Sequence, residues 1–229
     1  MRDVPIVLVP GLGLGREVWQ PTLRAWGPSG PVTVLVLPGY GVRGRRLDDL
    51  RPAALATRLL DHLDGAVPAR TPVVLAGHSA GCQVVAAAAA RAPHRVAGLV
   101  LVGPTMDPRA ATWPRLLGRW LLTAGREDPR QVPVLVRQYA RTGLVTMTRA
   151  MDAARRDDLA AHLAHVDRPV LVLRGRHDRI CPSAFAGALV SGHDRRHTAT
   201  LPAGAHMVPL THGRLVAEQA AAFVAALQG

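Results

Sequence analysis

Ser79, Asp178 and His206 are the residues whose types and order in this 229-residue sequence could carry out nucleophilic acyl chemistry. A serine hydroxyl is a poor nucleophile until a base takes its proton in the transition state. The usual base is a histidine, held in one tautomer by a carboxylate. Ser79 stands in Gly77-His78-Ser79-Ala80-Gly81, after the apolar run Val73 to Ala76 and before the Ala/Val-rich stretch Cys82 to Ala92. That order reads as strand, tight turn and helix, the arrangement of a nucleophile elbow. Gly77 and Gly81 fall where a side chain would meet the crossing strand and helix. Asp178 follows the run Val170 to Leu173, just before a helix that Pro182 can start. His206 follows the run ending at Leu201, in the small-residue loop Pro202-Ala203-Gly204-Ala205-His206-Met207. Asp107, after the run Val96 to Val102, is the rival acid. His177 and His212 are rival bases beside the candidate sites, and His78 lies inside the elbow. His177 ranks low because it is adjacent to Asp178 in the chain. Structural alternatives stand beside each assignment: a serine in a glycine turn, a helix-capping or arginine-paired aspartate, a loop histidine.

These residues need a scaffold that brings three strand ends together. Apolar runs occur at Val4 to Val9, Val32 to Leu37, Val73 to Ala76, Val96 to Val102, Pro169 to Leu173 and, more weakly, His197 to Leu201. Helical patterns separate them. One covers Glu17 to Trp26, with Val18, Trp19, Leu23 and Trp26 at helical spacing. Another begins near Pro52, with Asp48 or Asp49 as its cap and Leu55, Leu59, Leu60 and Leu63 on one face. The elbow helix is the third, and Arg214 to Leu227 closes the chain. Continuous apolar strands separated by helices imply a parallel sheet covered on both faces. Right-handed crossovers then give a doubly wound α/β layer structure, mostly parallel, of about six strands.

The alternation breaks between Pro104 and Asp167. Trp113, Leu116, Leu117, Trp120 and Leu121 keep an amphipathic helical rhythm, followed by Leu144, Met147 and Met151 and by Leu159 and Leu163. The chain is therefore expected to divide into a first core part (1–103), a small helical cap inserted at the sheet edge that carries the serine (104–167) and a second core part (168–229). Trp113 and Trp120 are expected to pack into the core. Together with Met207 they are also candidates for lining an acyl pocket.

Composition fits one globular domain. The formal net charge is +12, and all 28 basic residues are arginine. A solvated arginine surface is the plainer reading, and an anionic substrate or carrier the functional one. Only Arg43, Arg45 and Arg46 form a compact cluster, and no nucleic-acid-binding motif accompanies it. Cys82 and Cys181 do not make a disulfide framework, and Cys82 is expected to be a small core residue. After Arg2 and Asp3 comes a short strand without a signal-peptide core, and no apolar run is long enough to span a bilayer. A cytoplasmic location with no membrane contact is expected. No metal-ligand spacing appears, and Pro10-Gly-Leu-Gly-Leu-Gly15 lacks the GxGxxG spacing of a nucleotide loop.

Gly77-His78-Ser79-Ala80-Gly81, Gly175-Arg-His-Asp178 with Pro182, and Gly204-Ala205-His206 together resemble the α/β-hydrolase fold superfamily, over nearly the whole chain. Pro10-Gly11-Leu12-Gly13 with Val18-Trp19 is similar to the family's first loop. By that resemblance the oxyanion hole is formed by the backbone amides of Leu12 and Ala80. The chain departs from the family at Pro10, where histidine is frequent, and at Leu37-Pro-Gly-Tyr-Gly-Val-Arg43, where an acidic, glycine-rich loop is usual. It also begins at what would be the family's third strand, as a trimmed member with a reduced cap. The resemblance implies a serine hydrolase without a cofactor, acting on a carboxylic ester of a small acyl substrate. Thioester hydrolysis, carbon–carbon bond hydrolysis, acyl transfer and a ligand-binding receptor on the same scaffold remain the alternatives.

Overall fold

The computed structural model describes residues 4–26 and 31–228; Arg2 and Asp3 lie outside them. Six strands form one all-parallel sheet. They are β1 (Ile6–Val9), β2 (Val32–Val34), β5 (Val73–His78), β6 (Val96–Val102), β7 (Val170–Gly175) and β8 (Arg196–Leu201), in the order β2-β1-β5-β6-β7-β8. A separate two-stranded ladder, β3 (Leu37–Pro38) and β4 (Gly41–Val42), lies in the loop after β2. The second apolar run is thus a strand only over its first three residues, and Leu37 belongs to the small ladder.

Helices α2 (Pro52–Ala66), α3 (Gly81–Arg91) and α8 (Ser183–Val190) pack one face of the sheet through Leu55, Leu59, Leu63, Phe185 and Leu189. Helices α1 (Gln20–Trp26) and α10 (Gly213–Ala226) cover the other through Trp26, Val216, Ala217, Ala220 and Val224, together with Trp19 from the short 3₁₀ turn Arg16–Trp19. With both faces covered, β1, β5 and β7 are buried at every position, which is why they read as apolar runs, interrupted only near the carboxyl ends of β5 and β7 by buried His78 and Arg174. The edge strand β8 instead exposes His197, Thr198 and Thr200, polar residues that discourage pairing with another chain. Cys82 is a free, fully buried thiol in the core.

Neither Asp48 nor Asp49 caps α2. The cap position is Arg51, without a side-chain bond, and Pro52 opens the helix. Asp48 instead accepts from the Arg45 amide and pairs with Arg58, while Asp49 pairs with Arg51.

Between β6 and β7 lie α4 (Trp113–Ala124), α5 (Val132–Thr142), α6 (Leu144–Arg155) and α7 (Leu159–Leu163). The expected core role of the two tryptophans is overturned. Trp113 and Trp120 are 47% and 51% exposed, and Leu117 and Leu121 are exposed beside them. The inward face of α4 carries Thr123, which is buried, and Arg119, which pairs with buried Asp107 at 2.9 Å. Among the described residues, no helix is long and apolar enough to cross a membrane.

The remaining short helix, α9 (Val208–Thr211), follows the loop after β8. Because the main sheet is parallel throughout, the loops after β1, β5, β7 and β8 all leave from its carboxyl edge. Chain direction reverses between β1 and β5, since β2 lies on one side of β1 and β5 on the other. Ligands of open α/β sheets bind in the crevice at such a switch point.

Candidate active site

Ser79 is lifted out of the β5–α3 turn with φ +55°, in the left-handed region. A non-glycine residue there costs on the order of 1–3 kcal/mol, and its surroundings hold it in place. The Ser79 amide donates to the Val102 carbonyl at 2.9 Å, and its own carbonyl accepts from the Cys82 amide at 3.0 Å. The flanking glycines are dictated by space. A Cβ on Gly77 would stand 2.6 Å from the Gly81 carbonyl oxygen, and one on Gly81 would stand 2.5 Å from the Pro10 carbonyl oxygen. Strand, turn and helix can cross this closely only without side chains at those two positions.

His206 meets Ser79 and Asp178 at once. Its Nε2 lies 2.9 Å from Ser79 Oγ, and its Nδ1 lies 2.9 Å from Asp178 Oδ2. A carboxylate can only accept, so Nδ1 carries the proton and Nε2 offers its lone pair to the serine hydroxyl. Asp178 is fully buried. Its other oxygen accepts from the amides of Ile180 at 2.8 Å and Cys181 at 2.9 Å. Burial pushes the Asp178 carboxyl up, but the neighbouring His206 and these amides outweigh it and hold it below the usual carboxylate range. Burial likewise pushes His206 down, and the charge and hydrogen bond of Asp178, with a further push from Glu127, raise it above the ordinary imidazole value.

The rival groups stand elsewhere. Asp107 is engaged by Arg109 and Arg119. His212 bonds Thr211, and the His177 amide donates to the Gly204 carbonyl. His78 is fully buried and plays a supporting part. Burial, with the adjacent His206, lowers its pKa to about 3, so it stays neutral. Its Nε2–H donates to the His206 carbonyl at 3.0 Å, tying the elbow to the loop that carries His206.

The loop after β1 faces the elbow. Among the described residues, the amides of Leu12 and Ala80 donate to no protein acceptor. Helix α5 fixes this loop: Gln138 Oε1 accepts from the Gly15 amide at 2.6 Å, and Thr142 Oγ1 donates to the Gly13 carbonyl at 3.1 Å. Gly13 has φ +77°, and a Cβ there would meet the Tyr139 ring at 2.8 Å. Sequence reasoning found neither Gln138 nor Thr142, since α5 itself was not anticipated. Met207, next to His206, is buried, whereas Trp113 faces outward under the Arg155 guanidinium, 5.4 Å from its ring centre. One further contact was missed. Glu127, between α4 and α5, accepts from the His206 and Met207 amides at 2.7 and 2.9 Å.

Comparison with known proteins shows the family to which the fold belongs. A profile of the "Alpha/beta hydrolase family" matches residues 6–220. The chain is similar to the pimeloyl-[acyl-carrier protein] methyl ester esterase of Pectobacterium carotovorum, at 26% identity over 98% of this chain and 95% of the relative. The Xanthomonas campestris protein of the same name is 27% identical over 97% and 95%. Among solved structures, MenH from S. aureus superposes with a TM-score of 0.81 at 16% identity, covering 100% of this chain and 96% of that one. The enol-lactonase from Burkholderia xenovorans LB400 gives 0.74 at 20% identity, covering 98% and 92%. With its parallel sheet, its strand–turn–helix around Ser79 and a family match over nearly its full length, the chain belongs to the alpha/beta hydrolase family.

Proposed function

We propose that this protein hydrolyses a carboxylic ester through an acyl-enzyme on Ser79. The observation that carries the reading is the unbroken hydrogen-bonded line from Asp178 through His206 to Ser79, 2.9 Å at each junction. Ser79 Oγ attacks the ester carbonyl as His206 Nε2 takes its proton, and Asp178 stabilises the imidazolium that forms. The carbonyl oxygen gains negative charge and is received by the Leu12 and Ala80 amides, each worth about 3 kcal/mol in the transition state. As the tetrahedral intermediate collapses, His206 returns the proton to the departing alkoxide and an alcohol leaves. Water, deprotonated by the same imidazole, then attacks the acyl-enzyme; the acid is released and Ser79 regains its proton.

The relatives are named for a methyl ester of an acyl chain borne on a carrier protein. We extend that reading to this chain as a short-alkyl ester at one end of an acyl substrate. Met207 packs in the core beside His206, and Trp113 and Trp120 lie at the outer surface, so none of the three is assigned to the acyl side. A groove of 670 Å³ lined by Arg43, Arg46 and Arg149 beside Leu144 and Val145 suits an anionic group attached to that substrate. A panel of methyl, ethyl and p-nitrophenyl esters of graded acyl length, run beside matched thioesters, tests the assignment. Turnover of esters at least about tenfold above thioesters is expected. Preferential thioester cleavage, or acyl transfer to an added alcohol with little free acid, would displace the reading.

The pH profile follows from the buried pair. His206 serves as base only when neutral, and Asp178 holds its pKa above the ordinary value. Activity therefore falls as pH drops through that raised pKa, so the acid limb of kcat/KM lies above the value of a free imidazole, about 6.5. Asp178→Asn is expected to move the limb to lower pH and to cut kcat by about 10³-fold or more. An unmoved limb in that variant would assign the titration to another group.

A further inference from the structure

The segment from Thr123 to Glu127, at the end of α4, touches both loops that carry the acid and the base. Thr123 Oγ1 accepts from the amide of Arg179, the residue after Asp178, at 3.1 Å. Glu127 Oε1 accepts from two successive amides of the base loop, His206 at 2.7 Å and Met207 at 2.9 Å. The Gln131 side-chain amide donates to the other Glu127 oxygen at 3.2 Å. On the opposite side, the His206 carbonyl accepts from His78. Both backbone polar groups of His206 are thus held, the amide by the helical insertion and the carbonyl by the elbow.

We propose that Glu127 is a positioning residue of the hydrolase: its carboxylate fixes the backbone of the base loop from the helical insertion, so that His206 reaches Ser79 only while that insertion is seated. The proposal rests on the serine-hydrolase reading and adds a residue to it. Two carboxylates then serve one imidazole. Asp178 binds the ring directly, and Glu127 binds the peptide units that carry it. The groups facing His206 are Asp178 from the β7–α8 loop, His78 and Ser79 from the elbow, and Glu127 from the insertion. A carboxylate accepting two convergent amides makes charge-assisted bonds, stronger than neutral ones. It also leaves a negative charge near the imidazolium, which favours the protonated form.

Two variants separate the two contributions. Glu127→Gln keeps an oxygen for the two amides, and Gln131 Oε1, buried and unpartnered, can turn to accept from the new side-chain amide. That change removes the charge and leaves the geometry. Glu127→Ala removes both. The readout is the second-order rate at which a fluorophosphonate labels Ser79, measured across pH, with NMR titration of the His206 ring in each variant. Expected are a loss of labelling rate of about tenfold or more in Glu127→Ala, and a rate within about threefold of wild type in Glu127→Gln. In Glu127→Gln the His206 titration should also move to lower pH. A Glu127→Ala protein that keeps its melting temperature and labels within twofold of wild type would overturn the proposal, as would an unmoved titration in Glu127→Gln. Should Glu127→Ala fail to fold, Glu127→Asp decides: it keeps the charge on a side chain too short to hold both amides, so labelling should fall by about tenfold, and a rate within about twofold of wild type would overturn the proposal. Labelling needs no ester turnover. Wild type that labels but does not cleave esters would sink the substrate assignment and leave this one standing, and wild type that does not label would sink the serine itself.

Discussion

Ser79→Ala is expected to lower ester turnover by about 10³-fold or more while leaving the fold in place. The hydroxyl is the only atom of Ser79 in the hydrogen-bonded line to His206 and Asp178, and without it the base has no proton to take. What remains is the contribution of substrate binding and the oxyanion hole, which alone sustain a small residual rate in such sites. Stability should hardly change. The left-handed backbone at φ +55° is strained for alanine much as for serine, and the amide and carbonyl bonds to Val102 and Cys82 do not involve the side chain. Circular dichroism and a melting temperature within a few degrees of wild type would establish the fold. A variant keeping more than a few per cent of activity would mean that another group is the nucleophile.

Gly175→Ala should inactivate the protein by moving the base without touching any reacting group. Gly175 ends β7, against the loop that carries His206. A Cβ there would collide with the Ala205 carbonyl oxygen and stand 2.7 Å from the Gly204 carbonyl oxygen. Both obstacles are backbone, so no side chain can swing aside. The loop must withdraw, and His206 goes with it, since Ala205 is its direct neighbour. Displacing a catalytic group by about 1 Å can cost on the order of 10²-fold, and overpacking at such a site costs about 1–3 kcal/mol of stability. The expected result is kcat reduced at least about 100-fold with a measurable drop in melting temperature. Near-normal kcat in this variant would show that the loop has slack that the geometry denies it.

The fold and the meeting of Ser79, His206 and Asp178 were readable because each depends on short-range order. A parallel sheet buried on both faces must show apolar runs, and a turn crossed by backbone at 2.5 Å must use glycine. Strand ends on one edge then bring together residues far apart in sequence. Orientation across the insertion was not readable. Periodicity identifies Trp113, Leu116, Leu117, Trp120 and Leu121 as one face of α4 but cannot say which way that face points; Leu116 alone of the five packs against the core. In the structure the other four point outward, while Arg119 turns in to satisfy buried Asp107. Helix α5 was hidden by Val132-Pro133-Val134-Leu135-Val136, where proline and β-branched residues speak against a helix; Pro133 lies in its first turn, where it is tolerated. Glu127 carried no signal at all, since a single carboxylate at a helix end looks like any solvated one. Asp48 and Asp49 looked like caps and became arginine partners, because side-chain charge in an arginine-rich chain competes with the helix for them.

In the proposed reaction, Ser79 is reactive only because His206 takes its proton. The direct measurement is covalent labelling with a fluorophosphonate, mapped by peptide mass spectrometry, on wild type and on His206→Ala. One adduct on the peptide bearing Ser79, forming faster as pH rises and lost in His206→Ala, is the predicted result. An adduct on a different residue, or equal labelling of Ser79 without the imidazole, would contradict the account.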